Sequence, residues 1–266
     1  VKVTGSPIHE LDQQLSASVA DLSQERDSVV QRFFALMGEG KQEELTAPGG
    51  PVERMQAIDK VVDSITMAFI HAHPNTYAGL INLGYQKEEF SKDSLRSLFA
   101  EYSPELQASR YGHLIQIHLD YEQPQQGDDI YDFAAEDTSG QTQQFSQLLD
   151  KYILLDFTGT YCGPCIESIP ELKEVQTAHA DQLKVLSFST DAGKDTWMTG
   201  VRRDQIEWMS LWDGEGNYSE TKLKYGVQGI PHFFLISPEG KMVAEVGGYG
   251  EGLVTNMVEK ALVEGS

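Results

Sequence analysis

Apolar residues in the first 120 positions recur at three- and four-residue steps, the period of a helix that buries one face. From Ile8 to Met37 this period predicts one long helix, or two nearly collinear helices, ending near Gly38 and Gly40. A polar turn over 41–51 and a second helix that stops before Pro74 complete a helical hairpin. Shorter helices are predicted near 76–84, 91–102 and 104–118. Residues 1–121 therefore predict an all-α domain.

The pattern changes after residue 121. Residues 122–129 are polar, contain proline and glycine and have no periodicity, which predicts a linker. From 130 onward, short apolar runs alternate with helical periods, which indicates an α/β domain over 130–266. Pro170 lies inside a predicted helix and should kink it. Strands are predicted over 130–136, 152–157, 184–189, 207–212, 232–236 and 241–247, and helices near 142–149, 163–178, 194–204, 217–225 and 251–263.

The only two cysteines, Cys162 and Cys165, lie where the buried strand 152–157 gives way to the helix 163–178. Unpaired N–H groups and the macrodipole place roughly half a positive charge at a helix N-terminus. A cysteine in that position becomes a thiolate more readily than the ordinary pKa of about 8.5 allows. Pro164 fits the first helical turn, where its missing N–H costs nothing. The spacing predicts Cys162 as a nucleophile and Cys165 as the thiol that resolves its mixed disulfides.

Two other interpretations of the cysteine pair remain open. A purely structural disulfide is one, although closing so small a loop removes little chain entropy. A metal site is the other, although it needs about four ligands and the chain has no second cysteine pair or closely spaced His/Cys cluster. We therefore expect no metal and no cofactor beyond a redox-active Cys162–Cys165 disulfide.

Asp156 interrupts the apolar strand that precedes the cysteines. Burying an unpaired charge is costly, so a carboxylate in this place needs a reason. A buried acid beneath the dithiol has a raised pKa and can accept the proton that Cys165 loses when it attacks. The alternative is that Asp156 only hydrogen-bonds nearby backbone.

The formal net charge of −21 argues against binding to nucleic acid or to anionic membranes. No apolar stretch is long enough to span a bilayer. The sequence begins at Val1 without Met, so we expect a processed or truncated product whose export signal, if any, lies outside it. Trp197, Trp208 and Trp212 are predicted to pack an insert rather than to form a ligand platform.

Three ordered segments resemble thioredoxins. Residues 153–165 resemble the active-site strand and Cys-Gly-Pro-Cys turn, residues 226–236 resemble the strand that follows the family's cis-proline, and residues 240–248 resemble its last hairpin strand. The long separation of Cys162 from Pro231 leaves room for an inserted helix and strand, as in the extracytoplasmic TlpA/ResA-like branch. The resemblance implies a thioredoxin fold, a central mixed sheet flanked by helices, preceded here by the all-α domain.

The resemblance also implies an activity. It points to a thiol–disulfide oxidoreductase that reduces disulfides in other proteins. An unidentified thiol electron donor would reduce its own disulfide again. The implied compartment is the periplasm or another extracytoplasmic space. Pro231 should be cis, and the backbone of Ile230 should pair with an extended substrate segment. Tyr161, Gly163 and Pro164 are the other expected substrate contacts.

The sequence departs from the family at two positions. Tyr161 replaces the usual Trp before the first cysteine, and Ser168 replaces a Glu common three residues after the second, with Glu167 one step earlier. Two alternative functions stay open. One is a thiol peroxidase of the peroxiredoxin-like type, since peroxiredoxins share the fold. The other is a non-catalytic partner-binding protein on a thioredoxin scaffold, which the two departures and the helical domain motivate. Related envelope proteins often carry a small β domain further upstream, and residues 1–6 are a candidate for its last strand.

Overall fold

The computed structural model describes residues 7–264 of the chain. These residues form two compact units, and the division falls between Leu119 and Asp120. The candidate strand of an upstream β domain, residues 1–6, lies outside the described residues. No helix in the described part is long and apolar enough to cross a membrane. The domain limits expected from the sequence, at 121 and 130, stay predictions.

The first unit is helical, and its two longest helices are those that the sequence predicts. Helix α1 spans Pro7–Gly38 and helix α3 spans Pro51–Ala72, and they pack against each other. The other helices are α2 (Gln42–Thr46), α4 (Tyr77–Tyr85), α5 (Lys92–Phe99), α6 (Pro104–Gln107) and α7 (Arg110–Asp120). Their apolar side chains form one core that includes Ile70, Leu80, Leu83, Leu95, Phe99 and Ile115.

Two parts of this unit differ from the prediction. The polar segment 41–51 contains helix α2, because Leu45 within it is buried against neighbouring helices. The single helix predicted over 104–118 is in fact two helices, α6 and α7. Between them the Ser109 hydroxyl accepts the amide N–H of Gly112 at 3.3 Å. A Cβ on Gly112 would collide with the carbonyl oxygen of Gln107, so glycine is what permits this close turn.

The second unit is a seven-stranded mixed sheet flanked by helices, which confirms the predicted fold class. Its spatial order is β2-β1-β5-β4-β3-β6-β7; β5, β4 and β3 run parallel, and the remaining pairs are antiparallel. The strands are β1 (Ala134–Asp137), β2 (Thr142–Gln144), β3 (Tyr152–Thr158), β4 (Leu183–Ser189), β5 (Met209–Trp212), β6 (His232–Ile236) and β7 (Met242–Gly247). The helices are α8 (Gly163–Ala178), α9 (Lys194–Arg203), α10 (Glu220–Lys224) and α11 (Leu253–Glu264).

The beginning of this unit corrects the sequence analysis. The strand predicted over 130–136 is shorter, and the helix predicted near 142–149 is strand β2 followed by a 3₁₀ turn, Phe145–Leu148. A hairpin forms because the Asp137 carboxylate accepts the N–H groups of Ser139 and Gln141, at 2.8 and 3.0 Å. These bonds close a tight turn that joins β1 to β2. Helix α8 runs through Pro170, and the predicted kink there stays a prediction.

The two faces of the sheet bury separate apolar clusters. Side chains alternate along β3, so Ile153, Leu155 and Phe157 lie on one face and Leu154 lies on the other. The Leu154 face is covered by α8 and α11, which contribute Leu172, Val175, Val254 and Val258. Asp156 has the same parity as Leu154, so its carboxyl group lies on the face that α8 covers.

Helix α9 and strand β5 form the predicted insert. Strand β5 lies between β4 and β1 and so extends the central sheet. Trp197 is 2% exposed and stacks on Trp212, with ring centroids 5.6 Å apart. The prediction that the insert's tryptophans serve packing is confirmed for this pair.

The stretch predicted as a linker, 122–129, lies along the second unit. The N–H of Gly127 donates to the Met242 carbonyl at 2.8 Å, and the Met242 N–H donates to the Asp128 carbonyl at 2.9 Å. The Gln123 side chain donates to Glu245 at 3.0 Å. These bonds tie the stretch to β7, and its role as a linker between two domains stays a prediction.

Candidate active site

The cysteines lie at the junction that the sequence predicts, between β3 and α8. Cys162 is the N-cap residue of α8, with extended backbone angles, and Pro164 occupies its first turn. The backbone N–H of Cys165 points at Cys162 Sγ, 3.2 Å away. Such an N–H stabilises negative charge on the sulfur, and the helix macrodipole acts in the same direction.

Cys162 and Cys165 form a disulfide, and their Cα atoms are 5.2 Å apart. The two residues differ in access to solvent. Cys162 is partly exposed, whereas Cys165 is 2% exposed and faces the interior. An incoming sulfur can therefore reach Cys162 far more easily than Cys165.

The structure brings Pro231 against this turn. The Ile230–Pro231 peptide bond is cis, as the resemblance implied. The carbonyl oxygen of Ile230 lies 3.6 Å from Cys162 Sγ. On its other side, the Ile230 side chain approaches Gly159, where an added Cβ would lie only 2.9 Å from it. Glycine at 159 thus lets the two loops of the site meet.

Asp156 is buried below the junction, with 3% of its surface exposed. Burial raises the pKa of Asp156 from an ordinary 3.8 to about 7, and a hydrogen bond from the Ser187 hydroxyl opposes part of that rise. That bond reaches Oδ2 and is 3.0 Å long. The other oxygen, Oδ1, is buried and has no hydrogen-bond partner among the described residues. Burial thus favours the neutral, protonated form of the acid.

The loop that carries Tyr161 and Cys162 is held from the insert side by groups that the sequence analysis missed. The Asp191 carboxylate accepts the Thr160 hydroxyl at 2.7 Å and the Thr160 N–H at 3.1 Å. The Arg203 guanidinium donates to the Thr160 carbonyl at 2.8 Å. One signal was available: Asp191 follows a buried parallel strand at its carboxyl end, where functional loops of such sheets gather.

The two positions that depart from the family pattern, 161 and 168, differ in exposure: the first is on the surface and the second is buried. Tyr161 is 82% exposed beside the disulfide, and Gly163 and Pro164 are exposed with it. Ser168 is buried and donates its hydroxyl to the Cys165 carbonyl at 2.8 Å. Glu167, one step earlier, is exposed, so no carboxylate replaces the family's glutamate at that buried position.

His232, next to Pro231, lies on the opposite face of the sheet from Asp156. Its ring stacks on Phe234 with centroids 4.5 Å apart, and its Nε2 lies 3.3 Å from the Glu245 carboxylate. Burial lowers the pKa of His232, and Glu245 opposes that change. These contacts are those of a strand side chain packed on its neighbours.

The second unit is similar in sequence to known proteins. Residues 150–242 match a family model described as thioredoxin-like. The chain is 25% identical over 135 residues to a thiol-disulfide oxidoreductase ResA from Halalkalibacterium halodurans, covering 50% of this chain and 75% of that protein. It is 27% identical over 124 residues to ResA from Bacillus subtilis, covering 46% of this chain and 68% of that one. Among solved structures, the thioredoxin domain of a thiol-disulfide oxidoreductase from Bacteroides vulgatus is 27% identical, with a TM-score of 0.47, covering 51% of this chain and 96% of that one.

A mixed sheet with a CXXC disulfide at the start of a helix and a cis-proline beside it defines a thioredoxin-fold redox protein. The matches in sequence narrow the class further. The second unit is thus thioredoxin-like, and its sequence is similar to that of thiol-disulfide oxidoreductases of the ResA type; the helical first unit lies outside the residues that the family model matches.

Proposed function

We propose that the protein reduces disulfide bonds in other proteins, with Cys162 as the nucleophile and Cys165 as the resolving thiol. The observation that carries the proposal is the inequality of the two sulfurs. Cys162 is partly exposed and receives the Cys165 N–H at 3.2 Å, whereas Cys165 is buried. A thiolate nucleophile needs access and stabilised charge, and a resolving thiol needs only its neighbour.

The reaction proceeds by two exchanges. The Cys162 thiolate attacks one sulfur of the substrate disulfide, and the other substrate sulfur leaves as a thiolate. Cys165 then gives up its proton, attacks Cys162 Sγ and releases the remaining substrate thiolate. Two electrons pass from the dithiol to the substrate, and the Cys162–Cys165 disulfide forms. A thiol electron donor must reduce it before the next cycle.

Asp156 is the proposed acceptor of the Cys165 proton. Its place on the α8 face and its pKa of about 7, raised by burial, support this role. A general base works best when its pKa lies near the working pH. An ordinary surface aspartate, with a pKa near 4, would be a much weaker base.

The proposed substrate surface consists of the residues around the exposed sulfur. Tyr161, Gly163 and Pro164 offer exposed, uncharged surface on one side. Ile230 and Pro231 lie on the other side, with the Ile230 carbonyl 3.6 Å from Cys162 Sγ. An extended substrate segment that pairs with the Ile230 backbone would place its own sulfur over Cys162. Main-chain pairing of this kind tolerates many sequences.

The reducing direction rests on the Gly163-Pro164 dipeptide, which the chain shares with reducing thioredoxins. Equilibration with a glutathione buffer, read by mass spectrometry after thiol alkylation, measures the potential. We expect a value near that of thioredoxin, roughly −270 mV. A value near about −120 mV, typical of strong oxidants, would reverse the proposed direction.

We also propose that the protein works outside the cytoplasm, in the periplasm or an equivalent compartment, because its sequence resembles the ResA/TlpA branch. Fractionation of cells that express the full natural gene product, followed by immunoblotting, tests this. Recovery with the cytoplasmic fraction contradicts it.

The exchange mechanism is tested by trapping. In Cys165→Ser, substrates should remain attached to Cys162 as mixed disulfides that dithiothreitol releases. Cys162→Ser is the matched control, since it retains one thiol but lacks the exposed nucleophile. Equal adducts with both variants, or none with Cys165→Ser, would show that the roles are assigned wrongly. Peroxide consumption without a disulfide substrate would instead favour the peroxidase alternative.

A further inference from the structure

A chain of hydrogen bonds runs from the insert to Asp156. The indole Nε1–H of Trp208 donates to the Ser187 hydroxyl oxygen at 2.8 Å. The Ser187 hydroxyl in turn donates to Asp156 Oδ2 at 3.0 Å. Ser187 lies directly opposite Asp156 on the neighbouring parallel strand, so the backbone register sets this contact.

The direction of these bonds follows from donor chemistry. An indole N–H can only donate, so the Ser187 oxygen must be its acceptor. Serine has one hydroxyl proton, and Asp156 is the acceptor described for it. If Oδ2 carried the acid proton and donated to Ser187, that hydroxyl proton would be buried without an acceptor, which is costly.

We propose that Trp208 and Ser187 are positioning residues that hold Asp156 Oδ2 as an acceptor and so place the acid proton on Oδ1. Oδ1 is the buried oxygen that has no partner among the described residues. The position of the acid proton does not depend on the proposed function; only its use in catalysis rests on that function. When Cys165 attacks Cys162, its S–H bond breaks and the proton forms an O–H bond with Oδ1, directly or through water.

Within the described part of the chain, no charged group is a cause of the pKa shift of Asp156. The residues opposite it on the neighbouring strands are Ser187 and Phe233. The buried ionisable groups of α8 are Cys165 and Glu171. The Glu171 carboxylate is turned to the start of α11, where it accepts the N–H of Thr255 at 2.8 Å. The pKa of Asp156 is accordingly governed by burial and by the Ser187 bond.

The chain offers a matched control for the indole. Trp197, also in the insert, donates its Nε1–H to the Ser210 hydroxyl at 2.8 Å. Trp197→Phe and Trp208→Phe therefore each remove one indole-to-serine bond from the insert. Only the Trp208 bond leads on to Asp156. Trp208 is half-buried at the rim of a surface cleft with Leu183 and Met209, so its replacement opens no sealed cavity.

The test is infrared difference spectroscopy of the oxidised protein between acid and alkaline pH, with no substrate present. The band that Asp156→Asn abolishes is the carbonyl stretch of the neutral acid. If the proton is on Oδ1, that carbonyl is Oδ2, and the bond from Ser187 lowers its frequency. We expect Ser187→Ala to move the band to higher wavenumber, and Trp208→Phe to move it part of the way. Ser187→Thr, which keeps a hydroxyl, should restore it.

The same titrations report the acid's ionisation. A hydrogen bond to a carboxylate favours its charged form, so Ser187→Ala should lower the ionisation constant of Asp156 roughly tenfold. Trp208→Phe should lower it less, and Trp197→Phe should leave it unchanged.

A carbonyl band that stays in place in both Ser187→Ala and Trp208→Phe overturns the proposal, because Oδ2 would then carry the proton. An equal shift in Trp197→Phe also overturns it. If Ser187→Ala does not fold, Trp208→Phe against Trp197→Phe decides alone. The readout needs no turnover, so its failure is distinct from a failure of the trapping experiment.

Discussion

Replacing Asp156 by Asn should stabilise the oxidised protein, and increasingly so as the pH rises. Asp156 is 3% exposed, and burial raises its pKa from 3.8 to about 7. An acid whose pKa is higher in the folded state binds more protons there, so the folded state loses stability as pH rises from the unfolded pKa to the folded one. Above pH 7 the full cost is present.

The stability cost of ionising buried Asp156 can be calculated from the shift in its pKa. At about 1.4 kcal/mol per pKa unit, the cost approaches about 4 kcal/mol at pH 9 and falls to about 2 kcal/mol at pH 5. Asparagine carries no charge, so its own packing and hydrogen-bond penalty is the same at both pH values. The gain in unfolding free energy on Asp156→Asn should therefore be greater at pH 9 than at pH 5 by about 2 to 3 kcal/mol.

Urea unfolding of both oxidised proteins, followed by circular dichroism from pH 5 to 9, measures this difference. Asp195→Asn serves as the control, because Asp195 is exposed on α9 and its replacement removes a carboxylate from the surface rather than a buried one. A difference between Asp156→Asn and the parent that is constant across the range would refute the reasoning, since it would mean that Asp156 titrates alike in the folded and unfolded chains.

Two further substitutions test two buried or partly buried carboxylates, one that holds the active-site loop and one that caps α11. Asp191→Asn replaces one of two carboxylate oxygens that accept from Thr160 by an NH2 donor, and it removes the charge. We expect a loss of about 1 to 3 kcal/mol in unfolding free energy and slower attack of the reduced protein on a model disulfide. An unchanged rate would show that the loop keeps its place without this carboxylate. Glu171→Gln weakens the cap of α11, where the carboxylate accepts the N–H and hydroxyl of Thr255. Thermal unfolding should show a loss of about 1 to 3 kcal/mol in stability, while the rate of disulfide exchange stays near that of the parent. A stability equal to the parent's would contradict the capping role.

The sequence predicted the redox half of the molecule well where local pattern and chemistry coincide. The run from Ile153 to Cys165 combines a buried strand, a first-turn proline and a cysteine pair, and each feature independently requires a strand-to-helix junction. The helix 163–178 was predicted with its observed limits for this reason. Asp156 was identified because a carboxylate in an apolar strand conflicts with burial.

The errors lie where distant contacts decide the outcome. Residues 142–149 have a composition that suits a helix as well as a strand, and the Asp137 turn and the burial of Phe145 select the hairpin. The hydrogen bonds from Trp208 to Ser187 and from Ser187 to Asp156 could not be predicted, for a related reason. A serine in one strand and a tryptophan just before the next strand carry no joint signal until the register is known.

The loop over 122–129 has a consequence for how the redox unit can be isolated. Strand β7 is the last in the sheet, and a free edge strand invites pairing with other chains. The bonds between Met242 and residues 127 and 128, with the bridge from Asp129 to Lys241, occupy part of that edge. A fragment that begins at residue 130 would lack the residues that cover the edge of β7, and we expect it to self-associate. A fragment that begins near Asp120 retains those residues.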